Sequence, residues 1–483
     1  MIKIIYILLS AICLLGGSFC SISSARAETS TPYSLDDLLA RARATSPVMS
    51  IARAKLKGYM ALFDRAYYAW TPQIKMDSIV APLPERRELR QCVSLSTPTD
   101  PLNELGEVFP CPGQDITTDE RITADTEIGI LVKTSIDVIF PIYTFGKVAH
   151  GQDAARAGLD IGEAGIEYAR GELDYLVRKA YYGAQLADTA LGILRDGRKR
   201  LAKAKKEIEG QLSKDTGRFT SNDLRKLLVD EAELESGFLE TEALNQQAWS
   251  ALRLAANLRP DSTMTLDKMA ITPVNLEPRS REAYIELAMN ARPSMRIARA
   301  AVRARESQMK MALAGFFPDI ALVGGFRFAK GTTADDPIDP FANDSYNSLS
   351  WGVVLGAKWN VDYAVLSSKY SQAQAKLSQQ RAEYELLVQK IRLELVEQVS
   401  DMERRKKELK VRRIAMKAAR AWLVSNTMNF GIGVATVDQL LKSLVAYSKA
   451  RLTYYRTIYE FNLSVARLSQ SVGSDLAVPN STE

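Results

Sequence analysis

The chain is poor in the residues that enzymes use. Its single histidine, His150, stands at the start of a predicted long helix, where packing or solvent contact accounts for it. No glycine-rich phosphate loop, no metal-ligand cluster and no G-x-S-x-G elbow occurs. Neither catalysis nor a cofactor is expected. Other residues carry chemistry of a different kind. Cys92 and Cys111 form a close pair that, in an exported chain, reads as a disulfide rather than a metal site. Closing such a loop stabilises a fold by about 3 kcal/mol on the chain-entropy account. Acids follow turn signals: Asp223 comes six residues after Gly217, and Asp438 five after Gly433, with Gln439 and Lys442 just beyond. In the first turn of a helix, such acids cap free N–H groups and meet the positive end of the helix dipole. Gly217 and Gly433 read as turn glycines. Two basic clusters run from Arg195 to Lys206, through Arg198, Lys199 and Arg200, and from Arg404 to Arg413, through Arg405, Lys406 and Lys410. Interspersed acids such as Glu207, Glu209 and Glu408 suit a solvated helix face. The same clusters could dock an acidic partner.

Export is read from the first residues. Lys3 precedes an apolar run from Ile4 to about Leu15, and small residues end in Ala25-Arg26-Ala27. That is a cleaved secretory signal over residues 1–27, with the cut predicted before Glu28. Lipidation at Cys20 is disfavoured by the bulky Phe19 before it. Cleavage removes Lys3 and Arg26, so the formal charge falls from +6 to about +4. That is too mild to imply a nucleic-acid partner. No later stretch has enough consecutive apolar residues for a membrane helix, so any span must be a β-barrel.

The elements that must position these residues are written twice. Pro47-x-Met49-x-Ile51-Ala52-Arg53-Ala54 returns as Pro293-x-Met295-x-Ile297-Ala298-Arg299-Ala300, a shift of 246 that also carries Pro72-Gln73-Ile74 onto Pro318-Asp319-Ile320. A repeat of this length dictates two similar halves rather than a solenoid. Each half reads as helix, strand, loop, strand, long helix, turn, long helix. The first repeat is placed at 28–257, a linker at 258–279, the second repeat at 280–472 and a tail at 473–483.

Four strands are predicted, at about 73–82, 126–141, 319–328 and 348–361. Ile128, Ile130, Val132, Thr134, Ile136, Val138 and Phe140 share one face of the second, and Lys133, Ser135 and Asp137 lie on the other. Leu349, Trp351, Val353, Leu355, Ala357, Trp359 and Val361 share one face of the fourth. Strands of this length, apolar on one side and polar on the other, can cross an outer membrane. The helices that follow are very long, about 146–212 and 367–429; some 65 helical residues reach roughly 100 Å. Tyr370, Leu377, Tyr384 and Ile391 recur every seven, and Leu395, Val399 and Met402 continue at threes and fours, as in coiled coils. Ala155-x-Ala157-x-Leu159 matches Ala373-x-Ala375-x-Leu377 at the smaller shift of 218. The first strand-to-strand loop is therefore longer, and its extra residues contain both cysteines.

This ordered set resembles the TolC-like outer membrane efflux protein family. The resemblance is carried by the repeated Pro47 and Pro293 helix starts and by the Pro72-Gln73-Ile74 and Pro318-Asp319-Ile320 junctions. Phe140-Pro141-Ile142-Tyr143-x-Phe145-Gly146 is similar to the family's strand-to-helix exit, whereas Trp359-Asn360-Val361-Asp362-Tyr363 lacks the proline and glycine. The hairpin tips Gly217-x-x-Thr220-x-x-Asp223-Leu224 and Phe430-Gly431-x-Gly433-x-x-Thr436-Val437-Asp438-Gln439-Leu440-Leu441 also resemble it. What the resemblance implies is a mainly α fold with a small β part. Long coiled-coil hairpins would form a periplasmic tunnel, and four strands per chain would join a trimeric twelve-stranded barrel in outer-membrane lipid. It implies an exit duct that works with a periplasmic adaptor and an inner-membrane transporter, in efflux or type I secretion. Physics supports self-association independently, because four strands cannot close a barrel and open edges in lipid cost several kcal/mol per unpaired group.

The resemblance also gives the tip residues a role. Acids at the hairpin turns of the family narrow the duct's entrance and set its charge, which makes Asp223, Asp438 and Gln439 gate candidates. Three copies of a carboxylate around a narrow mouth attract cations. Lys442 stands where relatives carry an acid and would offset that field. Arg198, Lys199, Arg200, Arg404 and Arg405 become candidates for docking an acidic adaptor hairpin. The other reading of the chain is a periplasmic coiled-coil adaptor or scaffold without a barrel, which would need no outward apolar band.

Overall fold

The computed structural model describes residues 32–84, 128–213, 219–276, 279–334 and 345–478. The expected signal segment 1–27, Cys92, Cys111 and Gly217 lie outside these residues. The first half begins with α1 (Leu35–Thr45), α2 (Pro47–Tyr67) and a 3-10 turn at Tyr68–Trp70. It continues through β1 (Gln73–Pro84), β2 (Ile128–Tyr143), α3 (Lys147–Leu212) and α4 (Ser221–Ala255). After β3 (Asn275–Leu276) the order returns as α5 (Arg281–Ala291), α6 (Pro293–Ala314), β4 (Asp319–Gly331), β5 (Ser348–Lys358), α7 (Tyr363–Gly431) and α8 (Val437–Val472). A short β6 (Ala477–Val478) follows. Lengths match across the repeat: 11 residues in α1 and α5, 66 in α3 against 69 in α7, and 35 in α4 against 36 in α8.

Local chemistry explains the starts. Ser34 caps α1 reciprocally: its hydroxyl accepts the Asp37 N–H at 3.2 Å, and the Asp37 carboxylate accepts the Ser34 N–H at 3.1 Å. Proline opens both α2 and α6, where its missing N–H costs nothing. Two elements differ from the sequence expectation. β5 stops at Lys358, short of Trp359 and Val361. The Trp359 indole donates instead to the Phe316 carbonyl at 3.0 Å, and the Tyr363 N–H bonds the Val361 carbonyl at 2.7 Å, a tight turn that starts α7 four residues before Ser367.

The described residues fall into two compact units. One comprises Ile51–Tyr168 and Glu286–Leu393 and contains the larger sheet. Its strands are antiparallel in the order β1-β2-β4-β5. Pro141, which has no N–H to give, sits where the β2–β4 register shifts, so the irregularity absorbs the missing ladder bond. At the exit from β2, Phe145 and Gly146 both take positive φ (50° and 91°). Glycine adopts that conformation freely; Phe145 is held there by aromatic contacts with Tyr143 at 4.7 Å and Phe317 at 5.2 Å between ring centroids.

The other unit comprises the described residues of Met1–Ser50, Ala169–Ile285 and Glu394–Glu483. Its core is a helical seam; Leu395, Val399 and Met402 of α7 are buried, as the heptad spacing requires. Arg43 forks onto the Asp174 carboxylate with bonds of 2.8 and 2.7 Å. The segment after α4 is strapped down by backbone contacts. β3 pairs with β6, and the Asn462 amide of α8 donates to the Thr272 carbonyl at 2.8 Å and accepts the Val274 N–H at 2.9 Å. Nothing in the periodicity of the sequence pointed to the β3–β6 pairing.

Candidate functional site

Two surfaces hold the residues singled out by the sequence, one in each unit. The first is the sheet. Strand register brings the apolar positions into rows that cross all four strands: Met76–Ile136–Phe326–Trp351, Ser78–Thr134–Phe328–Leu349, and Ile74–Val138–Gly324–Val353. The opposite face carries Lys75–Asp137–Gly325–Gly352 and Asp77–Ser135–Arg327–Ser350. Lys75 and Asp77 pair at 2.9 Å on that polar face. On the apolar face the only hydroxyls of the central rows, Ser78 and Thr134, bond each other at 3.1 Å. The apolar face is nevertheless uncovered: Ile74 is 70% exposed, Leu355 69% and Trp351 78%. An apolar surface of this extent marks a place for lipid or protein rather than water. Aromatic side chains cluster at the strand-to-helix junctions, where Trp70, Tyr143, Phe317, Trp359 and Tyr363 are exposed. Such rings favour the boundary between hydrocarbon and water. β1 and β5 each have one strand partner among the described residues, so both sheet edges are open.

The second surface is formed by the turns of the helical hairpins. The α3–α4 end and the α7–α8 end share one apolar cluster that includes Ile208, Phe219, Leu227, Leu423, Phe430 and Leu441. Phe219 and Phe430 stand 5.4 Å apart between ring centroids. Gly433 has φ +85°, so the second turn uses a conformation that L side chains rarely adopt. Each returning helix starts with a reciprocal cap. Thr220 accepts the Asp223 N–H at 3.3 Å, and the Asp223 carboxylate accepts the Thr220 N–H at 2.9 Å and its hydroxyl at 2.7 Å. Thr436 accepts the Gln439 N–H at 3.3 Å, and the Gln439 side chain accepts the Thr436 N–H at 3.0 Å. Asp223 and Gln439 are therefore both engaged in closing helix ends.

Asp438 does something else. Its carboxylate accepts from Lys226, on the other hairpin, and from Lys442 at 2.8 Å on its own helix. The bonds from Lys226 first, then Lys442, hold the Asp438 carboxyl below the usual carboxylate range, and Asp438 in turn raises the Lys226 ammonium. Lys442, expected to oppose an acidic field on its own, is an ion-pair partner of Asp438. Lys226 was missed in the sequence. A signal existed: the shift of 216 that carries Gly217 onto Gly433 and Thr220 onto Thr436 also carries Lys226 onto Lys442. The same shift places Asn222 opposite Asp438.

The docking candidates separate by their partners. Arg198 pairs with Glu235 at 3.1 Å and lies over the Phe238 ring at 4.5 Å. Arg404 binds Asp401 at 2.7 Å and Glu408 at 3.0 Å; Arg405 binds Asp401 at 2.7 Å and also Glu460. These are intramolecular helix-to-helix, i,i+3 and i,i+4 pairs, and they leave less of those cations for a partner. Lys199 and Arg200 are exposed. Among the described residues no group of His, Cys, Asp and Glu could hold a metal ion, and no helix is long and apolar enough to cross a membrane.

Residues 284–474 match the outer membrane efflux protein family. No curated protein matches the sequence. Among solved structures, the outer-membrane channel OprN is 17% identical with a TM-score of 0.70, over 91% of this chain and 90% of that one. The MtrE outer membrane channel of Neisseria gonorrhoeae is 16% identical with a TM-score of 0.69, over 93% and 91%. The outer membrane protein VceC of Vibrio cholerae is 16% identical with a TM-score of 0.68, over 92% and 96%. Residues 284–474 thus resemble the outer membrane efflux protein domain, and the chain that carries them has the fold of the TolC-like outer membrane channels.

Proposed function

We propose that this protein is the subunit of an outer membrane exit duct, a homotrimer that serves an inner-membrane transporter through a periplasmic adaptor in efflux or type I secretion. The observation that carries the reading is the four-stranded sheet with one uncovered apolar face and two open edges. In water that face loses the benefit of burial, roughly 25 cal/mol for each Å² left exposed. In lipid it is the correct face, and only the edges then lack partners. Strands from two further copies would satisfy both edges and close a barrel of twelve. The polar face, with Lys75, Asp77, Asp137 and Arg327, would line the lumen. A periplasmic adaptor without a barrel has no use for such a face.

At the tips, the reading assigns the mouth to the Asp438 ion pairs rather than to a ring of free carboxylates. Asp223 would serve the mouth through the helix end that it caps. The cation-attracting entrance implied by the resemblance is therefore replaced by one in which Lys226 and Lys442 neutralise the acid between them.

The test is biochemical. The protein should fractionate with outer membranes, require detergent for extraction, and migrate as a trimer until heated. Val353→Arg, at the centre of the apolar face, should destabilise the trimer by about 2–4 kcal/mol, as charges on a lipid-facing strand do. Ser350→Arg on the opposite face should leave it nearly intact. A processed chain that stays monomeric in detergent-free buffer would end the duct reading.

A further inference from the structure

The basic cluster on α7 is sorted by its surroundings. Arg404, Arg405 and Arg412 are held by Asp401, Glu408 and Glu460. Lys406, Lys410 and Arg413 form no ion pair with any carboxylate of the described residues. They line one cleft, against an apolar wall that includes Val274, Leu276, Ile414 and Phe461. The three cations stand at i, i+4 and i+7, one stripe along about 10 Å of helix axis. Arg413 is oriented within the cleft, since its Nε donates to the Tyr454 hydroxyl at 3.2 Å and its terminal nitrogens remain without a described partner. The far wall is itself fixed, by the Asn462 bonds to Thr272 and Val274 and by the β3–β6 pairing. Like charges three and four residues apart on one helix face repel one another.

We propose that this cleft binds an acidic peptide segment, with apolar side chains interleaved among its carboxylates, belonging to a periplasmic partner protein. It rests on the exit-duct reading for the compartment of that partner. The charge pattern selects the ligand: cations spread over three helical positions match several carboxylates along a chain better than one head group. The apolar wall takes the side chains between those carboxylates. The paired arginines beside it, Arg404 and Arg405, are not the docking residues on this view; they hold α7 to α8 and to itself.

The experiment uses the full-length trimer in an uncharged detergent and a fluorescein-labelled peptide of about ten residues, alternating glutamate and leucine, followed by anisotropy. The wild type should bind, and binding should weaken steeply with added salt. Lys406→Ala, Lys410→Ala and Arg413→Ala combined should reduce affinity at least about tenfold, as loss of buried or semi-buried charge partners does at interfaces. Should that variant not assemble, Lys410→Gln alone should give about a threefold loss on the same principle. The same peptide with glutamine for glutamate should not bind. Equal binding of the glutamine peptide, or undiminished binding by the substituted trimers, overturns the proposal. So does a wild-type trimer that ignores the peptide while Lys410→Glu dissociates it, because the cleft is then filled by a neighbouring subunit. Conductance of the wild-type trimer in a bilayer is recorded separately: a conducting trimer that binds no peptide fails only this inference, and a non-conducting one fails the duct.

Discussion

The two hairpin ends use the same cap and differ in the charge beside it. At the first, Thr220 and Asp223 close the helix start; at the second, Thr436 and Gln439 do so with a neutral amide. The box therefore needs an acceptor at its third position, and a negative charge there is optional. The position before it carries the real difference, Asn222 on one side and Asp438 on the other. Lysines stand at equivalent places in both hairpins, yet both converge on Asp438. The Asn222 side-chain oxygen instead accepts from Arg225 at 3.2 Å. At its tips, a duplicated scaffold has thus kept its backbone chemistry in both copies and placed the acid that joins the two turns in only one.

The comparison is broken most severely through what the ends share. Phe430→Ala should cost about 3–5 kcal/mol of local stability, because it empties a buried site of the common cluster. Ile432→Ala, at an exposed position of the same turn, should change stability by no more than about 0.5 kcal/mol. Hydrogen exchange of the amides around both turns distinguishes the two, and equal protection in both variants would contradict the shared core. Next come the caps. Thr220→Ala and Thr436→Ala should each cost about 1 kcal/mol, and by similar amounts if the boxes are equivalent. A much larger loss at Thr220 would mean that the Asp223 charge adds to its cap.

The smaller effects sharpen the difference. Asp438→Asn leaves the second cap in place and frees Lys226 and Lys442, so ion preference in a bilayer should move toward anions. Adding Asn222→Asp to that variant should move it back. Selectivity that ignores both substitutions would remove the tip from the conduction path. The smallest expected response is to pH. The depressed Asp438 carboxyl contributes its linkage above the unfolded carboxyl range and loses it only as pH falls through the lower folded value. The raised Lys226 ammonium contributes below its unfolded value and loses it only as pH climbs through the higher folded one. Between about pH 5 and 9 neither group changes charge, so conductance should be flat across that window and should change below it.

Much of the fold was legible because it rests on short-range rules. Alternation placed the apolar rows from Met76 to Trp351, since a strand's side chains change faces at every residue. Proline positions and a capping serine marked helix starts. The seam through Leu395, Val399 and Met402 followed from spacing alone. The end of β5 was not legible, because Trp359 and Val361 keep the alternating pattern while their backbone has already turned. The tips were half legible. Glycine and threonine announced the turns, but whether an acid beside them faces a backbone amide, a lysine or a lumen depends on which helix lies across from it.

By itself, the sequence determined that the chain is written twice, with strands of alternating polarity and long helical stretches, because periodicity and composition are properties of neighbours in the chain. Only the tertiary structure decided that Asp438 belongs to Lys226 as well as Lys442, that β6 seals β3, and that three of the cations on α7 line a cleft while Arg404, Arg405 and Arg412 are paired. Those outcomes depend on side chains far apart in sequence meeting at ångström distances. Charge, unlike hydrophobic burial, acts through the particular partner it finds.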